Sequence, residues 1–265
     1  MVVGLAAALA VVFFTPSAYG HHSDEERITD RTAYSLGQEI FRIGIWKFEV
    51  GILDDLDVGT LTLPWIIKMA NLHLKYEFEI NEQWSIAPRI GFLSLDMQTI
   101  DPESPEAVFA IVPLELVGSF RVGDFTISLE AIYTYVGLSG SYESDALEGA
   151  AAVTNLQITN SIEWRVSRVT ALLLHSRYLL FQDASASTSA QIQADEYTTI
   201  EIHGAIESDV VDVGNAFSIV PSVHFSWETF NLRLGVGWGN WSLPGINFVL
   251  PMTMPIPEID FFWQW

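Results

Sequence analysis

The sequence predicts an all-β fold, an antiparallel transmembrane β-barrel of about 12 strands, with ten to fourteen allowed. Three observations lead to this prediction. Segments of alternating polar and apolar residues recur along the chain, aromatic residues cluster near the ends of these segments, and no apolar run after residue 20 is long enough to cross a membrane as a helix. With 49 % hydrophobic and only 17 % charged residues, the chain has ample apolar surface for burial or for contact with lipid.

The chain begins with an apolar run, MVVGLAAALAVVFF, followed by TPSAYG, which ends in a small-x-small motif at Gly20. This arrangement predicts a secretory signal peptide over residues 1–20. A membrane anchor is the alternative, but it needs roughly 20 apolar residues. We therefore expect a polar N-terminal segment over residues 21–35 and a barrel over residues 36–265.

The stretch NLHLKYEFEI, residues 71–80, shows the alternation most clearly. Its odd-numbered positions are polar and its even-numbered positions are apolar. A strand places these two sets on opposite faces, whereas a helix would scatter them around its circumference. The same separation recurs within residues 125–135, 155–165, 199–206 and 219–227.

Turn signals divide the chain into twelve predicted strands. They lie near residues 36–47, 54–63, 70–80, 83–96, 107–120, 124–138, 151–165, 168–182, 196–208, 215–227, 229–241 and 257–265. Short and long connections alternate through the first nine strands, but the short turn WETF then falls out of sequence. Either a strand is missed near RITDRTAY and another in INFVLPMT, or the length of a connection does not indicate at which end of the barrel it lies.

A soluble β-sandwich would also alternate, so the chemistry of the two faces has to separate the alternatives. The polar face here is mostly Ser, Thr, Asn, Gln, Gly and His, whereas a sandwich exposes mainly Lys and Glu. Tyr and Trp residues cluster near strand ends on the apolar face, as expected of the aromatic girdles at a membrane interface. These residues are Trp84, Tyr133, Tyr135, Trp164, Trp227, Trp238 and Trp241. The balance favours the membrane barrel.

Composition excludes several functions. A net charge of −21 argues against nucleic acid as a partner, and the absence of Cys removes disulfides, thiolate metal sites and cysteine nucleophiles. Four His residues fall on the polar face of separate strands, where a hydrogen-bonded interior role is more common than catalysis. No Walker, Rossmann, HExxH or GxSxG motif occurs. The sequence therefore predicts no enzyme, no cofactor and no metal.

These features, together with the terminal strand EIDFFWQW, resemble bacterial outer-membrane β-barrel proteins of the uncharacterised, porin-like kind. In that family a final strand with alternating apolar residues and a last aromatic residue implies recognition by the barrel assembly machinery. The matching positions here are Ile259, Phe261, Trp263 and Trp265. The resemblance also implies a place in the bacterial outer membrane, in contact with its lipid and lipopolysaccharide.

If the apolar face contacts lipid, the polar face lines the lumen, and its charges nearly balance. The candidate pore-lining residues are Arg42, His73, Lys75, Glu77, Arg89, Glu115, Glu130, Glu163, Arg165, His175, Arg177, Glu201, His203, His224 and Arg233. Interleaved charges can pair and fill a lumen, or they can line a water-filled path. We expect a narrow pore for passive passage of small solutes or ions. The alternative is a structural, adhesion or ligand-binding barrel without an open channel.

Overall fold

The computed structural model describes residues 28–100, 106–142, 147–195, 198–209, 216–242 and 249–265, so the predicted signal peptide lies outside the described residues. The strands are β1 (Phe41–Gly44), β2 (Lys47–Leu53), β3 (Leu56–Leu61), β4 (Ala70–Tyr76), β5 (Phe78–Asn81), β6 (Trp84–Asp96), β7 (Glu106–Val122), β8 (Phe125–Tyr142), β9 (Leu147–Arg165), β10 (Thr170–Asp195), β11 (Thr198–Asp209), β12 (Phe217–Ser226), β13 (Phe230–Ser242) and β14 (Val249–Gln264). Two short helices are α1 (Thr62–Ile66) and α2 (Met97–Ile100).

The strands form one closed antiparallel barrel of 12 wall strands, which confirms the predicted fold class. Closure occurs at β10, which pairs with β9 on one edge and with β12 on the other. β4 and β5 both pair with β6 and make one wall strand interrupted at Glu77. β11 and β12 lie end to end along the same edge of β10, β11 beside Asp183–Asp195 and β12 beside Thr170–Tyr178, so together they fill one wall position.

The predicted number of strands is right because two errors cancel. β2 was missed, since the two-residue turn Asp54–Asp55 separates it from β3 and the prediction left residues 48–53 as a connection. The predicted strands over residues 196–208 and 215–227 exist as β11 and β12, but these two strands occupy one wall position, in line with each other. Alternation of polar and apolar residues reports a strand; it does not report which neighbour that strand pairs with.

The two rims of the barrel differ in their connections. One rim, the turn rim, carries Asp54–Asp55, Glu82–Gln83, Gly123–Asp124 and two further short turns, and there the Phe41 and Trp265 backbones exchange hydrogen bonds of 2.9 and 3.1 Å. The opposite rim, the loop rim, carries α1, α2 and the longer connections. With β2 restored and β11 and β12 counted as one wall strand, every second connection belongs to the turn rim. The break at WETF was therefore an error in strand assignment.

The outer surface of the barrel is apolar. Along β6, Trp84, Ile86 and Ile90 are exposed, while Ser85 and Ala87 are buried. Exposed apolar and buried polar side chains are the reverse of the arrangement in a soluble domain, and they suit a wall that faces hydrocarbon. Aromatic pairs follow one another along the turn rim and form a girdle: Trp84–Phe120, Phe125–Trp164, Trp227–Phe230 and Phe230–Trp263.

The inner surface is polar near the turn rim but not throughout. Towards the loop rim, Met69, Leu93, Leu95, Ile111 and Val136 form a buried apolar cluster inside the barrel. The sequence analysis expected a polar inner face along each strand, and this part of the expectation is wrong. Met69 follows α1, so the connection between β3 and β4 supplies one apolar partner that strand periodicity does not reveal.

The wall is low on one side. β1, β2 and β3 have 4, 7 and 6 residues, whereas β9 and β10 have 19 and 26. At about 3.3 Å per residue, β1 rises only roughly 13 Å. The Trp46 side chain closes part of the gap, because its Nε1 donates to the Ile259 carbonyl of β14 at 2.7 Å. Neither helix in the described ranges is long and apolar enough to cross a membrane.

The last strand has the predicted orientation. Ile259, Trp263 and Trp265 are exposed on the outer face. Phe262, which broke the alternation in the sequence, points inward and is 4 % exposed. The Arg42 guanidinium lies over its ring, 3.6 Å from the centroid, in a cation–π contact. An inward aromatic residue is therefore explained by the buried cation beside it.

Candidate functional site

The N-terminal residues 28–36 lie inside the barrel, and we call this segment the N-terminal plug. Ala33, Tyr34 and Leu36 are buried, with exposed fractions of 0, 3 and 8 %. Buried backbone groups need hydrogen-bond partners, and polar side chains of the wall provide them. The Ala33 amide donates to Ser119 Oγ at 2.7 Å, and Arg89 donates to the Thr32 carbonyl at 2.9 Å. The plug is thus bonded to the wall on more than one side.

Asp30 is the centre of the first contact between plug and wall. Its carboxylate lies 2.6 Å from Arg42 Nη2, 2.7 Å from Lys47 Nζ and 3.3 Å from Arg233 Nη2. Burial opposes ionisation of this carboxyl, but the positive charges of Arg42, Lys47 and Arg233 outweigh burial and hold the pKa of Asp30 well below its usual range. A single plug residue therefore neutralises cations from three strands.

Further carboxylates complete this cluster. Lys47 also contacts Glu49 at 2.6 Å, and Arg42 also contacts Asp260 at 3.2 Å. Glu258 lies 2.8 Å from Arg31 of the plug and 3.7 Å from Arg233. Charges buried in a lumen are tolerated when each has an opposite partner. Each wall cation of this network has a carboxylate partner on the wall, and Asp30 of the plug adds a further carboxylate to all three.

The second contact joins the plug to β3 and β4. Lys75 Nζ lies 2.9 Å from the Asp57 carboxylate and also donates to the Tyr34 carbonyl. The Leu36 amide donates to Asp57 Oδ1 at 2.9 Å. Ser35 donates its amide proton to Glu77 Oε2 at 2.6 Å. Each of these wall groups bonds to plug backbone, so the contact depends on the position of the plug more than on its side chains.

The third contact is built around Arg89. Its guanidinium lies 3.3 Å from Glu115 and 3.2 Å from Glu130, in addition to its bond with the plug. Thr159 donates to the second oxygen of Glu130 at 2.8 Å. Both carboxylates of this group are therefore occupied by neighbours on the wall.

Two cavities lie on either side of the plug. The loop-side cavity has a volume of about 290 Å³ and is bordered by Asp30 and Arg31 of the plug. The turn-side cavity has a volume of about 440 Å³ and is bordered by Ile28, Tyr34 and Leu36, together with the Asp54–Asp55 turn. Residues of the plug thus border both spaces and lie between them.

Most of the candidate lumen residues face the barrel interior. The buried ones are Arg42, Lys75, Glu77, Glu130, Glu163, Arg165, His224 and Arg233. The half-buried ones are His73, Arg89, Glu115, His175 and Arg177. Glu201 and His203 lie on β11, beside the outer part of β10, and their side chains are not among those described. That these residues line a permeation path stays a prediction.

Sequence analysis missed the residues that hold the plug. Asp30, Lys47, Glu49 and Asp57 were not among the candidates. Asp30 fell in the predicted N-terminal segment and Glu49 in a predicted connection, whereas Lys47 and Asp57 fell in predicted strands but were not recognised as lumenal. The available signal was the stretch RITDRTAYS, in which charges of both signs precede the first strand. Within the described ranges, no group of three or more His, Asp and Glu side chains is close enough together to hold a metal ion.

Comparisons with known proteins find barrels of distant sequence. No family model matches, and no curated protein matches. Among solved structures, the ferric-catecholate import receptor Fiu from E. coli K12 has a TM-score of 0.44 at 8 % identity, covering 94 % of this chain and 43 % of its own. The toluene transporter TodX from Pseudomonas putida has a TM-score of 0.42 at 10 % identity, covering 84 % and 66 %.

A third structure, OmpT, an outer membrane protein of Vibrio cholerae, has a TM-score of 0.38 at 11 % identity, covering 83 % of this chain and 63 % of its own. The chain therefore spans less than two thirds of the length of each of these three proteins. At these identities and TM-scores, the likeness carries no information about activity.

Proposed function

We propose that this protein is an outer-membrane β-barrel channel through which small solutes pass when the N-terminal plug leaves its position in the lumen. The observation that carries the proposal is the plug itself, which separates a cavity of about 290 Å³ from one of about 440 Å³. A barrel that served only as a scaffold would gain nothing from two cavities separated by a removable segment. The passive pore expected from the sequence thus becomes a gated one.

The apolar exterior and the aromatic girdle support insertion into a membrane. The exposed positions of Ile259, Trp263 and Trp265 on the last strand support recognition by the barrel assembly machinery of the bacterial outer membrane. In this placement the turn rim faces the periplasm, and the loop rim meets lipopolysaccharide. Export would then depend on the proposed signal peptide at residues 1–20.

The contacts of the plug support a movable segment. Ion pairs and hydrogen bonds hold residues 28–36, and the chain contains no Cys that could fix them covalently. Asp30 bears the largest electrostatic share, because it alone faces Arg42, Lys47 and Arg233. Reversing its charge would place four cations together and expel the segment.

Planar-bilayer recording of the refolded chain tests the proposal, with Asp30→Arg as the variant and Glu82→Gln as the control. Glu82 is exposed in a turn at the turn rim, outside the lumen. We expect rare openings in the wild type and in Glu82→Gln, and frequent discrete openings in Asp30→Arg. Equal conductance in all three would contradict gating by the plug.

Insertion must be established separately, because a silent bilayer has two explanations. Heat-modifiable gel migration and co-flotation with lipid vesicles report a folded, inserted barrel. If all three proteins are inserted and none conducts, the channel is wrong and the structural or ligand-binding barrel takes its place. A wild type that stays soluble without detergent would contradict the membrane assignment itself.

A further inference from the structure

The charges of the lumen are not paired everywhere, and Arg177 on β10 is one exception among the described residues. Arg42, Arg89 and Arg233 each contact at least two carboxylates. Arg177 donates Nη2 to the Asn240 carbonyl at 2.7 Å. Among the side chains that the structure describes, no carboxylate lies within ion-pair distance of it. Arg177 lines the loop-side cavity.

The strand register explains why the nearest acid does not pair with Arg177. Arg177 lies opposite Thr159 of β9, and Thr159 lies opposite Glu130 of β8. Two strand spacings, roughly 10 Å, therefore separate the Cα positions of Arg177 and Glu130 along the row. Glu130 is also engaged by Arg89 and Thr159. The wall leaves the positive charge of Arg177 facing the cavity.

His175 lies two residues before Arg177 on the same inner face of β10, and it lines the same cavity. Its Nδ1 atom is buried and has no hydrogen-bond partner. Residues two apart on a strand are about 6.6 Å apart, so both side chains can reach one small anion. A buried polar atom without a partner is uncommon in folded proteins and needs an explanation. A ligand atom would supply the missing partner.

The remaining lining of the loop-side cavity is apolar in part. Leu93, Ile132, Val220 and Ile256 all border it and are at most 7 % exposed. Val220 lies directly opposite His175 in the strand register. The cavity therefore combines an unpaired cation and an unpartnered imidazole with an apolar wall. That combination suits a ligand with a charged end and an apolar body.

We propose that the loop-side cavity binds small organic carboxylates with an apolar tail. Arg177 would hold the carboxylate by paired, charge-assisted hydrogen bonds, and His175 would donate Nδ1–H to it. The apolar tail would lie along Leu93, Val220 and Ile256. The proposal rests on the proposed channel in one respect: these carboxylates would be the solutes that the channel transports. Binding itself does not require conductance.

Chemical modification measures binding without any conductance. The refolded barrel is treated with phenylglyoxal, which labels accessible arginines, and labelling is followed residue by residue by peptide mass spectrometry. Arg168 is the matched internal control, because it is exposed in the turn between β9 and β10 and lies outside the cavity. The probes are hexanoate, acetate and inorganic phosphate, with sodium chloride at the same ionic strength as the salt control.

We expect Arg177 to be labelled and hexanoate to protect it. A ligand at about twice its dissociation constant slows labelling roughly three-fold. Hexanoate should give that protection at a concentration at least about tenfold lower than acetate, because each buried methylene adds affinity. Arg168 should be labelled at the same rate in all solutions, and His175→Gln should weaken the protection of Arg177.

Several results would overturn the proposal. These are no labelling of Arg177, equal slowing at Arg168, protection by phosphate or acetate as strong as that by hexanoate, or unchanged protection in His175→Gln. The channel and the binding site can fail separately. A conducting barrel in which Arg177 is unprotected keeps the channel and removes the site. A protected Arg177 in an inserted barrel that never conducts keeps the site and removes the channel.

Discussion

Two faces of the same lumen carry similar charged residues, but the charges are paired on one face and unpaired on the other. On the plug face, formed by β1–β4, buried cations and carboxylates are joined through residues 28–36, with Asp30 between Arg42 and Lys47. On the opposite face, β10 presents Arg177, whose one partner among the described residues is the Asn240 carbonyl. The difference teaches that a charge in a barrel becomes structural when another segment completes its pairing. A charge that has no ion-pair partner from another segment is available to a ligand.

The largest effect is expected from removing a charge on the plug face. Arg42 is 1 % exposed and contacts both Asp30 and Asp260. Arg42→Met leaves two buried carboxylates without this cation, so we expect the free energy of unfolding to fall by about 3–5 kcal/mol. Urea unfolding of the refolded barrel, followed by tryptophan fluorescence, measures it. The control is Arg168→Met, at an exposed turn residue, which should change stability by less than about 0.5 kcal/mol.

A smaller loss is expected at the second contact of the plug. Asp57→Asn keeps the shape of the side chain but leaves the Lys75 ammonium without a carboxylate and weakens the bond from the Leu36 amide. We expect a loss of about 2 kcal/mol, since hydrogen bonds to charged groups contribute in this range. Hydrogen exchange at Leu36 should accelerate. Asp55→Asn, an exposed neighbour, should leave that exchange rate unchanged, and equal acceleration would contradict the contact.

Within the physiological pH range, a change of pH should alter the stability of the plug contacts less than either of these substitutions does. The pKa of Asp30 in the folded protein is held below its usual value of about 3.9. The ion pairs of Asp30 therefore stabilise the plug fully at pH values above about 3.9, and this stabilisation is lost as the pH falls through the lowered pKa. The groups that surround Asp30 are the cations Arg42, Lys47 and Arg233 and the acids Glu49, Glu258 and Asp260.

Hydrogen exchange of residues 28–36 at a series of pH values, corrected for the intrinsic exchange rates, measures this dependence. Protection should be constant from pH 8 to about pH 5 and should weaken below about pH 4. Asp30→Asn removes the carboxyl that titrates, so its protection should be lower at neutral pH and less dependent on acid. Loss of protection in the wild type between pH 8 and pH 6 would indicate a different titrating group.

The smallest effect is expected on the open face. Arg177→Gln removes a charge that has no carboxylate partner in the described part of the chain, so no acid is left unpaired. We expect the free energy of unfolding to change by less than about 1 kcal/mol. Burying the Arg177 charge carries a desolvation penalty, and no ion pair that offsets this penalty is lost in the variant. The same urea unfolding measures it. A loss as large as that of Arg42→Met would mean that Arg177 is structural and would abolish the contrast between the two faces.

Sequence reasoning reached the barrel because its evidence is local. Alternation along residues 71–80 requires only that neighbouring side chains point to opposite faces. The orientation of Ile259, Trp263 and Trp265 follows from the same rule. Phe262 obeys this rule but places an apolar ring on the polar inner face, and the reason is Arg42, more than 200 positions away in the chain. Contacts of that kind leave no mark in a local pattern.

The candidate site was predicted only in part for the same reason. Strand periodicity identified Arg42, Lys75, Arg89 and Arg177 as lumenal, but it could not say which of them would be paired. Pairing depends on register, and register places Thr159 between Arg177 and Glu130. The role of β11 was missed because pairing partners, unlike face alternation, are set by the whole circuit of strands.

The sequence by itself determined that the chain forms an antiparallel barrel with an apolar outside, since side-chain period and composition specify which face meets which solvent. Only the tertiary structure decided that residues 28–36 enter the lumen, which cations they neutralise, and where an unpaired cation remains. The physical reason is that burial of a charge is settled by partners brought together in space. The role of the short polar stretch RITDRTAYS becomes clear only from its place inside the closed barrel, where the wall supplies its partners.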